Sequence, residues 1–135
     1  MPFVLDASVT ASWAFPDEHH PAAIRAAEIL ESSSDSAVVP SLWWYEVRNM
    51  LLVNERRGRT TVARTSIFLE QIAQLSIQTE YDLNSGFLLD LARNHSLTVY
   101  DASYLSLAIR ERLPLATLDR ALQMAATAAG IALLA

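Results

Sequence analysis

Four acidic residues stand where a short apolar run meets the start of a helix. They are Asp6 in Phe3-Val4-Leu5-Asp6-Ala7-Ser8, Glu46 in Ser41-Leu42-Trp43-Trp44-Tyr45-Glu46, Asp101 in Thr98-Val99-Tyr100-Asp101-Ala102-Ser103, and Asp119 in Ala116-Thr117-Leu118-Asp119. In a chain that alternates strand and helix, the carboxyl ends of the strands meet at one edge of the sheet, where ligands bind. Carboxylates gathered there repel one another unless something positive holds them. A hard divalent cation such as Mg²⁺ takes oxygen ligands and keeps waters for chemistry. Metal-dependent phosphodiester cleavage is therefore the first chemistry the pattern implies. Singly, each acid has an ordinary explanation. Asp6, Asp101 and Asp119 read as helix N-caps, and Glu46 as a side chain favoured by a helix dipole. Their joint placement carries the chemical reading.

The elements that must position them follow from periodicity and turn residues. Phe3 to Leu5 reads as a buried strand, and Ala7 to Phe15 as a short helix stopped by Pro16. Pro21, at the first position of a helix, opens one that runs to the Ser32-Ser33-Ser34-Asp35 turn. Ala37 to Val39 reads as a strand, and Ser41 as the cap of a helix to about Arg57, ended by Gly58. Thr61 to Gln74 runs back as the second arm of a helical hairpin. Ser76 to Gln78 reads as a strand, Leu83 to Asn94 as a helix, Leu97 to Val99 as a strand, and Ala102 to Arg112 as a helix. Leu115 to Thr117 is a strand, Arg120 to Ala129 a helix closed by Gly130, and Ile131 to Leu134 a last strand. Short apolar strands alternating with helices imply an α/β fold with a mainly parallel sheet covered on both faces. This places Asp6 at the end of the first strand and Asp101 two residues after another. Asp119 follows the Thr117 strand end, and Glu46 lies in a helix that follows Pro40. Asn49 lies one turn beyond Glu46 on the same face.

Composition narrows the function. The chain has 135 residues, half of them hydrophobic, without a repeat or linker, so one domain over 1–135 is expected. No apolar run reaches membrane-span length. There is no basic leader before Asp6 and no cysteine, which suits a cytoplasmic protein and excludes thiolate sites. All ten cations are arginines. A phosphate-binding loop of the Gly-Lys-Ser/Thr type is therefore absent. Phosphoaspartyl enzymes and receiver domains, which normally need a lysine, lose weight. Ser8 lacks the Gly-x-Ser-x-Gly elbow of serine hydrolases. The net charge of −5 would argue against nucleic acid, but assigning four carboxylates to a metal site leaves the remainder at −1. Arg48, Arg56, Arg57, Arg59 and Arg64 put half the cations on the helical hairpin, as an RNA-backbone contact or as a solvated helix end. Trp13, Trp43, Trp44 and Tyr45 read as core or interface before base-stacking surface. His19, His20 and His95 carry no signature of metal binding or nucleophilic catalysis.

Val4-Leu5-Asp6-Ala7-Ser8, the stretch from Pro40 through Glu46 to Asn49, Tyr100-Asp101-Ala102-Ser103-Tyr104 with Leu107-Ala108, and Ala116-Thr117-Leu118-Asp119-Arg120 with Gly130 resemble the PIN domain. More closely, the chain resembles VapC-type toxins of bacterial toxin–antitoxin pairs, over its whole length and in family order. The resemblance implies a three-layer α/β/α sandwich and a Mg²⁺- or Mn²⁺-dependent endoribonuclease. By position it makes Asp6, Glu46, Asp101 and Asp119 the acidic quartet. Asp6 and Asp101 are the best candidates for direct ligands, with Glu46 and Asp119 binding directly or through water. Thr117, Ser8 and Asn49 match polar neighbours. The resemblance further implies an RNA substrate, a symmetric homodimer, and a VapB-like antitoxin that places a basic residue among the four acids. The antitoxin's apolar anchors are expected on a patch near Trp43, Trp44 and the hairpin. A housekeeping RNA-processing PIN nuclease and a catalytically silent PIN-like binding module are the alternatives.

Overall fold

A computed structural model of the chain describes residues 1–81 and 84–134. Four short strands form the sheet: β1 (Phe3–Leu5), β2 (Ala37–Pro40), β3 (Ile77–Glu80) and β4 (Leu115–Ala116). Among the described residues seven helices accompany them: α1 (Ala7–Ser12), α2 (Pro21–Glu31), α3 (Leu42–Arg56), α4 (Val62–Ile72), α5 (Ser85–His95), α6 (Val99–Glu111) and α7 (Arg120–Ala128). The strand order is β3-β2-β1-β4, and every pairing is parallel. Phe3 pairs with Ala37, Leu5 with Ala116, and Pro40 with Glu80, so the carboxyl ends of the strands share one edge. Phe3, Val4, Leu5, Ala37, Val39, Leu115 and Ala116 are wholly buried. Apolar runs without alternation are what a sheet flanked by helices on its faces requires.

Helix α6 is the inner helix of the fold. Ala102, Tyr104, Leu105 and Ala108 have no exposed surface, and the helix packs on β1, β2, β4, α5 and α7. Trp43, Val47 and Leu51, at spacings of four, bury the inner face of α3. The aromatic run divides accordingly. Trp43 is fully buried and Trp44 half-buried, its indole N–H donating to Thr79 Oγ1 at 2.7 Å, while Tyr45 is exposed. Trp43 therefore belongs to the core and cannot contribute to a surface patch. On the hairpin the exposed apolar side chains are instead Leu52, Val62 and Ile67.

Five expectations need correction. No strand forms at Leu97 to Val99. Ser96 ends α5 in the left-handed region at φ 53°, and Thr98 immediately caps α6 by accepting the Asp101 N–H. A three-residue apolar run becomes a strand only where a sheet edge is free to pair it, and α5 and α6 instead pack directly on each other. The Ala7 helix stops at Ser12, since Trp13 and Ala14 continue as a turn. Ser41 accepts no capping bond, and it already has helical backbone angles. Beyond Gly130 the chain adds one parallel bridge, Leu133 to Leu115, rather than a strand. β3 runs to Glu80, two residues beyond the expected Gln78. Leu83, expected to open α5, lies outside the described residues; α5 begins at Ser85 and is capped by Asn84.

Candidate functional site

Asp6 leaves the buried end of β1 and is itself only 5% exposed. It occupies the N-cap position of α1, yet its side chain makes no capping bond. Its Oδ2 instead accepts two hydroxyls, from Ser8 at 2.6 Å and from Thr117 at 2.7 Å. Each hydroxyl is in turn a backbone acceptor. Ser8 Oγ takes the Leu118 N–H and Thr117 Oγ1 the Asp119 N–H, both at 3.0 Å. The turn after β4 is thereby locked to the end of β1, which its parallel neighbour requires. Burial raises the Asp6 carboxyl above its ordinary range. The two hydroxyls oppose that shift, and the charges of Asp101 and Asp119 add to it.

Glu46 reaches the same place from α3. Tyr104 Oη donates to its Oε1 at 2.6 Å. Burial raises its carboxyl too; the tyrosine opposes the shift, while Asp6 and Asp101 reinforce it. Asp101 lies in the first turn of α6 rather than after a strand. It is half-buried and raised by burial and by Asp119, with the Thr98 contact opposing. Asp119 accepts the Leu122 N–H at 2.9 Å and so caps α7. Its ordinary role and its nearness to the other acids coexist. Four carboxylates from β1, α3, α6 and the β4–α7 turn thus feel one another, although 113 positions separate the first from the last in a chain numbered Asp6 to Asp119.

Ser8 and Thr117 are drawn into the site. Asn49 is not, being exposed and making no hydrogen bond to any of the four acids. Tyr104 is the residue the sequence reading left without a role. Its signal was its spacing, three residues after Asp101 on one face of α6. Among the hairpin arginines, Arg59 is committed elsewhere. It contacts Asp17 and Glu18, donates to Asn54, and lies 4.2 Å from the centroid of the Phe15 ring. Arg48 lies over the Trp44 ring.

Among the described residues, no three His, Asp or Glu side chains form a ready metal cage. The donor set is nevertheless that of a hard cation: oxygen only, several formal charges, and carboxyls whose pKa values are raised partly by each other. Asp6 and Glu46, each held by one oxygen, and the half-buried Asp101 are the residues able to hold such an ion, with Asp119 beside them. Among the described residues no helix is long and apolar enough to cross a membrane.

Comparison with known proteins agrees with this architecture. The PIN domain family model matches residues 3–128. Ribonuclease VapC3 of Pyrobaculum aerophilum is 34% identical over 125 residues, covering 90% of this chain and 92% of that protein. The crystal structure of PAE2754, also from Pyrobaculum aerophilum, superposes with a TM-score of 0.73 at 26% identity, over 93% of this chain and 79% of that one. With residues 3–128 matched and a VapC relative aligned along nearly its whole length, the chain belongs to the PIN-domain family, as a protein of VapC type.

Proposed function

We propose that this chain is a divalent-metal-dependent endoribonuclease acting as the toxin of a type II toxin–antitoxin pair. The observation that carries the reading is the pair of hydroxyl-held carboxylates, Asp6 and Glu46, interacting electrostatically with Asp101 at the carboxyl edge of a parallel sheet. Similarity to a protein named as a ribonuclease supports RNA as substrate. Asp6, Glu46, Asp101 and Asp119 would hold Mg²⁺ or Mn²⁺. When bound, such an ion supplies a nucleophile competent near neutral pH and neutralises charge at the scissile phosphate. The chain's own contribution is positional. Ser8 and Thr117 fix Asp6, Thr98 fixes the first turn around Asp101, and no side chain need act as nucleophile.

The partners proposed are an RNA strand, a second copy of the chain, and a small antitoxin that sets an arginine or lysine among the acids, where a charge-assisted pair would form. A cytoplasmic location belongs to the same reading. The test is cleavage of total cellular RNA by purified protein with Mg²⁺ and with chelator, mapped at nucleotide level, alongside co-expression with the neighbouring small gene. Mg²⁺-stimulated cuts, growth arrest by the chain alone and relief by the neighbour are expected. Absence of stimulated cleavage, or full tolerance of the chain by cells, would remove the reading.

A further inference from the structure

Tyr104 has no exposed surface, yet it carries a hydroxyl into the interior. Burying a hydroxyl without partners is unfavourable, so a core position that needs only volume is better served by phenylalanine. This hydroxyl has a partner. It donates to Glu46 Oε1 at 2.6 Å. The tyrosine thereby joins α6, which also carries Asp101 three residues earlier, to α3, which carries Glu46. One turn earlier on α3, the Trp43 indole N–H donates to Thr10 Oγ1 at 3.3 Å and ties α3 to α1, the helix that follows Asp6.

The arrangement repeats that of Asp6. There, two hydroxyls occupy Oδ2. At Glu46, one hydroxyl occupies Oε1, and among the described residues no donor reaches Oε2. A free glutamate side chain loses rotamer entropy when it is ordered. Glu46 is already ordered by the tyrosine.

We propose that Tyr104 is a positioning residue for Glu46, holding one carboxylate oxygen so that the other is presented to a divalent cation. The inference rests on the reading of Glu46 as a metal-binding residue. It assigns Tyr104 an indirect role, through Glu46, with no contact to the ion or the RNA.

Metal-free native protein and Tyr104→Phe are titrated with Mn²⁺ by calorimetry, and cleavage kinetics are followed in parallel. The Phe variant should bind Mn²⁺ at least about tenfold more weakly, as expected when an outer support of a ligand is lost. Its kcat should fall while KM for RNA stays put. A folded Phe variant that binds Mn²⁺ as tightly as the native protein overturns the proposal. Should the Phe variant not fold, the native protein carrying 3-fluorotyrosine decides. The resonance of the one buried tyrosine should shift with Mg²⁺, half-saturating at the midpoint of a Mg²⁺ calorimetric titration of the native protein, and stay still in Glu46→Gln. A resonance unmoved while Mg²⁺ binds overturns the proposal equally. Native protein that binds no metal and cuts no RNA overturns the functional reading and this inference together. Native protein that binds and cuts, beside an unimpaired Phe variant, overturns this inference alone.

Discussion

Thr117 donates its hydroxyl to Asp6 Oδ2 at 2.7 Å across 111 positions of sequence, and both residues are buried. The bond joins the ends of two neighbouring parallel strands, because the register sets Leu5 beside Ala116 and so brings the next residue of each to the same edge. The same Thr117 oxygen accepts the Asp119 N–H. One hydroxyl therefore fixes two of the four acids, orienting the first by its proton and the last through its lone pair.

Thr117→Val keeps the shape and removes the hydroxyl. It leaves a buried carboxylate short of one donor and the Asp119 N–H without its acceptor, an expected loss of about 2 kcal/mol. Thr117→Ser keeps both bonds and loses one methyl, about 0.8 kcal/mol. Denaturant unfolding of the two variants should rank them in that order, and cleavage should survive in Ser and drop in Val. A Val variant as stable and active as the native chain is incompatible with this account.

Asp6→Asn and Asp101→Asn separate charge from architecture. Burial is the largest cause of the raised carboxyls at both positions, so removing the charge removes a cost of the folded state. An asparagine oxygen at position 6 can still accept from Ser8 and Thr117, and the α6 cap uses the position 101 backbone N–H and Thr98, not the Asp101 side chain. The metal-free variants should melt no lower than the native chain, while cleavage falls by at least about a hundredfold, the upper end of what loss of an outer support alone costs. Melting curves in chelator and single-turnover RNA cleavage provide the check. Variants that unfold would mark these acids as structural.

Much of this site was legible in the chain because it follows from strand ends. Leu5-Asp6 and Ala116-Thr117 each finish an apolar run, and their adjacency follows from a parallel sheet. Glu46 was legible as a helical residue following Pro40 at the end of β2. Asp101 stands beside the other acids, but not by way of a strand before it. Leu97-Thr98-Val99 has strand composition, but periodicity cannot reveal that Ser96 turns left-handed and that Thr98 serves as a cap. Asn49 shares the helical spacing of Glu46 yet faces solvent, since spacing fixes a face only to within a residue of the boundary between core and surface. Tyr104 was hidden by its type, because a tyrosine in an apolar helix reads as packing until the partner of its hydroxyl is known.

The hairpin arginines provide a further prediction. Arg59 clasps the α3–α4 joint to the loop before α2 through Glu18 at 3.2 Å, Asp17 at 3.7 Å and the Phe15 ring. The groups are partly exposed, so Arg59→Ala should cost only about 1 kcal/mol. Amide exchange should quicken around Gly58, and cleavage in the metal-saturated protein should stay within about twofold, since 1 kcal/mol of global stability hardly changes the folded fraction. A large loss of RNA cleavage with unchanged exchange would instead place Arg59 on the substrate path.

Stability against pH gives the most direct reading of the acidic cluster. Asp6, Glu46 and Asp101 all titrate above their unfolded values, each chiefly through burial. Over that window the folded chain binds more protons than the unfolded one, so unfolding free energy falls as pH rises. Their contribution is fully present below the unfolded carboxylate range and is lost as pH climbs through the raised values. Asp35, lowered by the amino terminus, acts in the opposite direction, but its partner is exposed to solvent and the effect of such a surface pair is weak. In chelator, the native chain should therefore melt higher at about pH 5 than at about pH 7.5, unlike proteins whose carboxylates are stabilised by ion pairs. Asp6→Asn removes the most buried contributor and should flatten the slope. Millimolar Mn²⁺ should flatten it from the other side, raising the melting temperature mainly at the higher pH, where the acids are ionised and able to bind. A native chain whose melting temperature rises with pH in chelator, or one that Mn²⁺ stabilises equally at both values, would show that these carboxylates do not share a strained, cation-seeking site.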